Sequence, residues 1–467
     1  MANEREAAKK PAGTVKDMTQ GNPYSLMLSF ALPIFLSQLF QQLYNTADAL
    51  IVGRFLNSNA LGAVTSSGTL IFLLISFFTG AAMGGGVVIS RYFGAGDADR
   101  VSRAIHTLLA LGLVCGVAVT AVGVGLTPTI LGWMQTDPDI LPYAIDYFRW
   151  YFVGGLAMVM YNILRSIMNA LGDSRRPLYY LIFSSVLNIL LDILFMGVFH
   201  WQVWSAAVAT VISQLGSVAL CMIHLLKKGN IFTVELRKIR FHGDLLREMI
   251  RYGLPAGVQN SVIGLANVIV QSQINTFKAA AVTAYGVHAK IEGFAFLPIT
   301  SFNMASTTFI SQNLGARLYD RARKGARFSI LAAVLLAELI GVVCYLFSPQ
   351  LIGIFDSTPA VQQFGVMQAH TVTLFYFLLA FSHSIAAVCR GAGKAFVPMF
   401  VMLSVWCVLR VSYIALVMHF LGEIKYIYWA YPLTWAISSV IYLIYYLKSD
   451  WIHGFDRAGD DLREAAD

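Results

Sequence analysis

Apolar runs of about 20 residues, long enough to cross a hydrocarbon core as a helix, recur twelve times along this chain. They span 26–52, 60–88, 104–126, 142–164, 178–199, 204–226, 249–276, 281–308, 327–347, 363–387, 396–419 and 428–447. Polar segments rich in Gly, Pro and charge separate them, among them "FGAGDADR", "LGDSRRP", "LGARLYDRARKG" and "CRGAGKAFVP". Twelve transmembrane helices are predicted. In the first span Gln38, Gln41, Asn45 and Asp48 follow at intervals of 3, 4 and 3, which places them on one helix face. In lipid such a face turns to protein or to a water-filled cavity. In the fifth span Asn188 and Asp192 are four apart and share a face. A charge at such depth costs about 2.5–3.5 kcal/mol on insertion scales, so each aspartate needs something to hold it there.

The pattern repeats. Pro33 pairs with Pro255 and Asn45 with Asn267 at an offset of 222. "ISRYFGAGDADRVSRA" pairs with "ISQNLGARLYDRARKG" at 221, as do Gly172 with Gly393 and Pro177 with Pro398. Six spans per half is an even number, so both halves share one orientation. The expected architecture is two six-helix bundles related by a pseudo-two-fold axis along the membrane normal, with a cleft between them. The seventh span repeats the polar stripe as Asn260, Asn267 and Gln271 but has Val270 opposite Asp48. At the loop offset, Leu409 and Tyr413 fall opposite Asn188 and Asp192. Polar lining is shared between halves and the acids are not.

Asp48 and Asp192 both fall roughly 10 Å below the outer surface, at 1.5 Å per residue. Two desolvated carboxylates side by side cannot both stay ionised cheaply. One takes a proton, or a cation such as Na⁺ sits between them; Asn188 can offer its carbonyl to a cation or its amide to a carboxylate. The alternative is that each is neutral and merely ties two helices together. Pro33 and Pro255 are candidate hinges, because proline removes a helix bond and permits a bend; each could equally be a static kink.

Composition agrees with the spans. Of 467 residues 57% are hydrophobic and 12% charged, against about 25% charged in soluble proteins, so this is an all-α, multi-pass membrane protein. With the N-terminus inside, 26 of the 33 Lys and Arg fall on inner segments; only Arg54, Lys278 and Lys425 fall outside. That asymmetry puts both termini in the cytoplasm and accounts for the net charge of +8 without nucleic acid. The organisation expected is a tail at 1–22, lobes at 23–226 and 248–447, a cytoplasmic linker at 227–247 and a tail at 448–467. The N-terminal segment lacks the apolar core of a signal peptide. The five cysteines form no CxxC, so neither zinc nor a disulfide framework is expected.

"MTQGNP", "ALPIFLSQLFQQLYNTADALIVGRF", "FGAGD" and "NILLD" resemble the multidrug and toxic compound extrusion (MATE) family, over nearly the whole chain. The first-span Asp and the fifth-span Asn-x-x-x-Asp are similar to the amino-lobe cation site of its prokaryotic DinF-like branch. The resemblance implies that Asp48, Asn188 and Asp192 are coupling residues, with Asn162 a less specific fourth. It implies a monomeric antiporter in the cytoplasmic (inner) membrane of a prokaryote, expelling amphipathic organic cations for H⁺ or Na⁺ without a cofactor. The NorM-like branch carries carboxylates in the carboxy lobe, and the seventh, tenth and eleventh spans here have none.

Glu292 either binds a cationic substrate or packs, and Glu338 is expected to bond between helices. His288, His370, His383 and His419 lack metal spacing and are expected to pack. Phe72, Phe77, Phe294, Phe296, Phe302, Met83 and Met304 offer an adaptable apolar lining; Phe294 and Met304 join the stripe residues as candidate cleft positions. A lipid-linked oligosaccharide flippase of the same superfamily is the nearest rival, but its cationic cavity is at odds with intramembrane acids. No repeated filter motif suggests a channel, and no HExxH or GxSxG suggests an enzyme.

Overall fold

The computed structural model describes residues 15–56, 58–133, 138–227 and 232–455, with every side chain among them except those of 49, 58–63, 65–75 and 133. Much of both tails, part of the linker and the Phe72 side chain lie outside the described residues. Among the described residues there is no strand. The amino half holds α1 (Pro23–Phe55), α2 (Ser58–Gly94), α3 (Ala98–Trp133), α4 (Leu141–Val153), α5 (Gly155–Ala170), α6 (Arg175–Asp192) and α7 (Trp204–Leu226). The carboxy half holds α8 (Gly243–Ile274), α9 (Ala279–Gly315), α10 (Tyr319–Leu346), α11 (Ser348–Phe355), α12 (Pro359–Val372), α13 (Tyr376–Gly391), α14 (Phe396–Val401), α15 (Arg410–Phe420) and α16 (Ile424–Lys448). Among the described residues nine spans are long and apolar enough to cross a membrane, and a tenth is α4 with α5, bent by 48° at Gly154. With α2 and α9, each 37 residues long, the twelve predicted spans are all helical.

Packing divides the chain into two units. Among the described residues, one combines those up to Gly21 with Leu36–Ile250; the other combines Asn22–Phe35 with those from Arg251 onward. The lobe boundaries drawn from sequence thus differ locally: the start of α1 packs with the second unit and the start of α8 with the first. The changes of unit inside α1 and α8 fall within five residues of Pro33 and Pro255, and both prolines lie inside uninterrupted helices.

The duplication is visible in the helix ends. In α2 the Asp97 N–H bonds Tyr92 O at 3.1 Å and the Gly96 N–H bonds Phe93 O at 3.1 Å; in α9 Leu318 bonds Asn313 at 2.8 Å and Arg317 bonds Leu314 at 3.0 Å. Asp173 with Met168 and Gly172 with Asn169 recur as Lys394 with Cys389 and Gly393 with Arg390. All four ends are Schellman caps, which need a left-handed residue after the helix. Gly96, Gly172 and Gly393 supply it at φ 73°, 88° and 73°, whereas the repeat mate of Gly96 is Arg317, at φ 57°. A side chain in that region costs about 1–2 kcal/mol. Arg317→Gly is therefore expected to raise the thermal midpoint in detergent, by about 0.5–1 kcal/mol of stability after the loss of chain stiffness. A lowered midpoint would mean that the Arg317 side chain contributes more than its backbone costs.

The loop offset of 221 does not persist through the eleventh span. Between α14 and α15 the chain makes a π-helical stretch, Met402–Leu409, and a π-bulge is the insertion of one residue into a helix. Beyond it the offset is 222. Asn188 then pairs with Arg410 and Asp192 with Ile414, correcting the assignment to Leu409 and Tyr413. Burial decides between the two registers: Asn188 and Arg410 are each 1% exposed and Asp192 and Ile414 are 0% and 2%, while Leu409 is 37% exposed.

Candidate functional site

The first unit brings α1 and α6 together at the two aspartates. Asp48, Asn188 and Asp192 are all buried, and the two carboxyl groups stand close enough to act on each other. Thr210 on α7 donates its hydroxyl proton to Ala206 O at 3.0 Å. Its oxygen can then only accept, from Tyr44 Oη at 3.2 Å and from Asn188 Nδ2 at 3.3 Å. The Asn188 amide is thereby turned with its nitrogen toward Thr210. Four buried oxygens, Asp48 Oδ1, Asp192 Oδ1 and Oδ2 and Asn188 Oδ1, find no donor. Two carboxylates have no proton to give each other. The cluster is satisfied only when it shares a proton or surrounds a small cation, and oxygen ligands of this type suit hard ions. Tyr44, Tyr147 and Tyr151 stand close enough to feel the Asp48 charge.

Not every residue marked by sequence joins this cluster. Asn162 on α5 donates to Met158 O at 3.0 Å and accepts from Arg165 Nη2 at 3.2 Å, so both ends of its amide are engaged away from the pair. Gln38 and Gln41 are half-buried and Asn45 is exposed. Tyr44 and Thr210 were missed. The signal available for Tyr44 was its position one helical turn before Asp48.

In the second unit Asn260 is half-buried and Asn267 exposed, and Gln271 donates to Asn275 Oδ1 at 2.8 Å. Phe294 is exposed and Met304 half-buried. Glu338 bonds between helices as expected, accepting the Phe377 N–H at 3.2 Å. His370 packs on Tyr345 and meets Ser348 Oγ at 3.1 Å; among the described residues no group of three or more His, Cys, Asp or Glu could hold a metal ion. Glu292 does not stand alone. It lies within electrostatic range of Arg410, an arginine inside the eleventh apolar span. Arg410 is fully buried, donates to Thr434 Oγ1 from Nη2 at 2.9 Å and from Nε at 3.3 Å, and lies over the rings of Tyr431 and Trp406 at 4.6 and 4.9 Å.

The sequence profile of the family described as MatE matches residues 33–194 and 255–416, two copies offset by 222 at both ends. The chain is 28% identical over 454 residues to the probable multidrug resistance protein YoeA of Bacillus subtilis (strain 168), covering 94% of this chain and 97% of that one. It is 23% identical over 337 residues to the multidrug export protein MepA of Staphylococcus saprophyticus, covering 72% and 74%. A solved MOP superfamily transporter from Pyrococcus furiosus superposes with a TM-score of 0.87 at 21% identity, over 94% of this chain and 98% of its own; at that identity the likeness speaks for the fold.

Proposed function

The chain belongs to the MatE family, and on that premise we propose that it is a secondary antiporter exporting amphipathic organic cations in exchange for H⁺ or Na⁺. The observation that carries the coupling is the set of four buried oxygens without a donor at Asp48, Asn188 and Asp192. The names of YoeA and MepA support multidrug export. A proton or Na⁺ arriving from outside is shared by the pair, relieves their repulsion and lets α1 and α6 close on each other; its departure inward leaves two like charges that push them apart. That difference is a lever on α1, with Pro33 and, in the second lobe, Pro255 as the points of bending. Gln38, Gln41, Asn45, Asn260, Asn267, Gln271, Phe294 and Met304 line the cargo path, and access alternates between the two faces of the cytoplasmic membrane.

Proteoliposomes with separately imposed pH and Na⁺ gradients test this. One of the two gradients alone should drive ethidium uphill. If neither does, the antiport reading is wrong.

Orientation follows from the basic residues. Both termini and the 227–247 linker should face the cytoplasm. In a cysteine-free background Glu235→Cys, at an exposed position, should resist an impermeant thiol reagent added to intact cells and react after lysis. Efficient labelling of intact cells would reverse the orientation.

A further inference from the structure

In the second repeat the place of Asn188 is taken by a charged residue. We propose that Arg410 is a tethered cation, held where the first unit takes its exchangeable ion, so that the second unit binds no coupling ion of its own. The proposal rests on the reading of Asp48, Asn188 and Asp192 as the coupling site.

Three observations converge. The 222 register set by the π-helical insertion puts Arg410 opposite Asn188, with matching burial. Both side chains make the same bond: each donates to a threonine on the next span, Thr210 or Thr434. Each threonine sends its own proton to the carbonyl four residues back, Ala206 or Ala430. The two acids of the first unit are replaced by apolar residues, Val270 and Ile414, both buried.

A guanidinium keeps its proton in a protein, and a buried charge persists only where something compensates it. The rings of Trp406 and Tyr431 provide part of that through their faces, and Thr434 provides an acceptor. The opposite charge comes from Glu292 on α9. Tyr285, on the same face of α9 as Glu292, meets Tyr431 hydroxyl to hydroxyl at 2.7 Å, and both tyrosines feel both charges. In the first repeat the residues opposite Glu292 are the apolar Leu70 and Ile71, so the acid and the arginine occur in the same half. The first unit therefore presents two carboxylates that await a cation. The second presents one carboxylate already answered by a cation on a side chain.

The test is the number of coupling ions exchanged per ethidium, read from the opposing gradient that halts its transport in proteoliposomes. Arg410→Gln leaves Glu292 in need of a partner, and the count should rise by one. Arg410→Lys should keep the wild-type count, and Arg410→Gln with Glu292→Gln should restore it. An unchanged count in folded Arg410→Gln overturns the proposal. Should that variant fail to fold, the double variant decides, since it buries no unanswered charge. A wild-type count in it supports the proposal, and a changed count or lost coupling overturns it. Failure of the coupling reading itself would look different, because the wild type would then show no gradient-driven transport at all.

Discussion

Asp48→Asn and Asp192→Asn are each expected to reduce gradient-driven export to the level of empty vesicles, while the protein remains folded in the membrane. The asparagine amide has the shape of the carboxyl group and brings two donors, so it fills the orphaned acceptors of its neighbour. The pair is then satisfied without an ion. Removing a buried charge also removes its desolvation cost, and the thermal midpoint should hold or rise. What is lost is the difference between an ion-bound and an ion-free state, and a ligand can shift an equilibrium only through such a difference. Ethidium binding should survive better than transport, because the stripe on α1 and α8 is untouched. Transport assays in proteoliposomes, beside melting curves in detergent, separate the two effects. Wild-type export by either variant across the pH range would remove that aspartate from the coupling site.

The aspartate pair was legible because two independent regularities met. Helical spacing put Asn188 and Asp192 on one face, and counting from span ends put both acids at one depth. The structure adds that the carboxyl groups are neighbours. Thr210 and Tyr44 were not legible, since Thr and Tyr in a span look like packing residues until their hydroxyls are seen to meet. Asn162 shows the reverse: an intramembrane amide suggests a site, yet its bonds go to its own helix and to Arg165.

Arg410 was hidden for a different reason. Loop motifs align at 221 because helix caps fix their own spacing, and extending that offset into the eleventh span is natural. A π-helical insertion leaves no mark in hydropathy, because one more apolar residue in an apolar run changes nothing. It nevertheless turns every later side chain by about 100° on a helix of 3.6 residues per turn. Exposed Leu409 gave way to buried Arg410 as the partner of Asn188 for that reason.

Glu248→Ala should have the largest effect on stability, a loss of about 3–5 kcal/mol, read as a lowered thermal midpoint. Glu248 lies near the start of α8, in the part that packs with the first unit, and is buried. Its Oε1 pairs with Arg91, and its Oε2 accepts the Tyr92 hydroxyl at 3.0 Å. Tyr92 Oη in turn accepts from Arg100 Nη1 at 3.3 Å, and both guanidinium groups lie over the Tyr92 ring, at 5.3 and 5.2 Å. Truncating the acid removes the carboxylate from Arg91, which is itself mostly buried, and leaves Tyr92 without its acceptor. Glu248→Gln keeps an acceptor and should cost less. Replacing both partners, Arg91→Met with Glu248→Leu, should recover most of the loss, because it leaves no charge unanswered. A Glu248→Ala protein that melts with the wild type would mean the pair does not hold α8 to the first unit. Glu248 and Asp48 are both buried acids near the ends of long helices, and neutralising them is expected to act in opposite ways. Glu248 is already surrounded by donors, so its loss breaks a finished network. Asp48 Oδ1 and both oxygens of Asp192 have none, so losing either acid ends the need for the ion that finishes the pair.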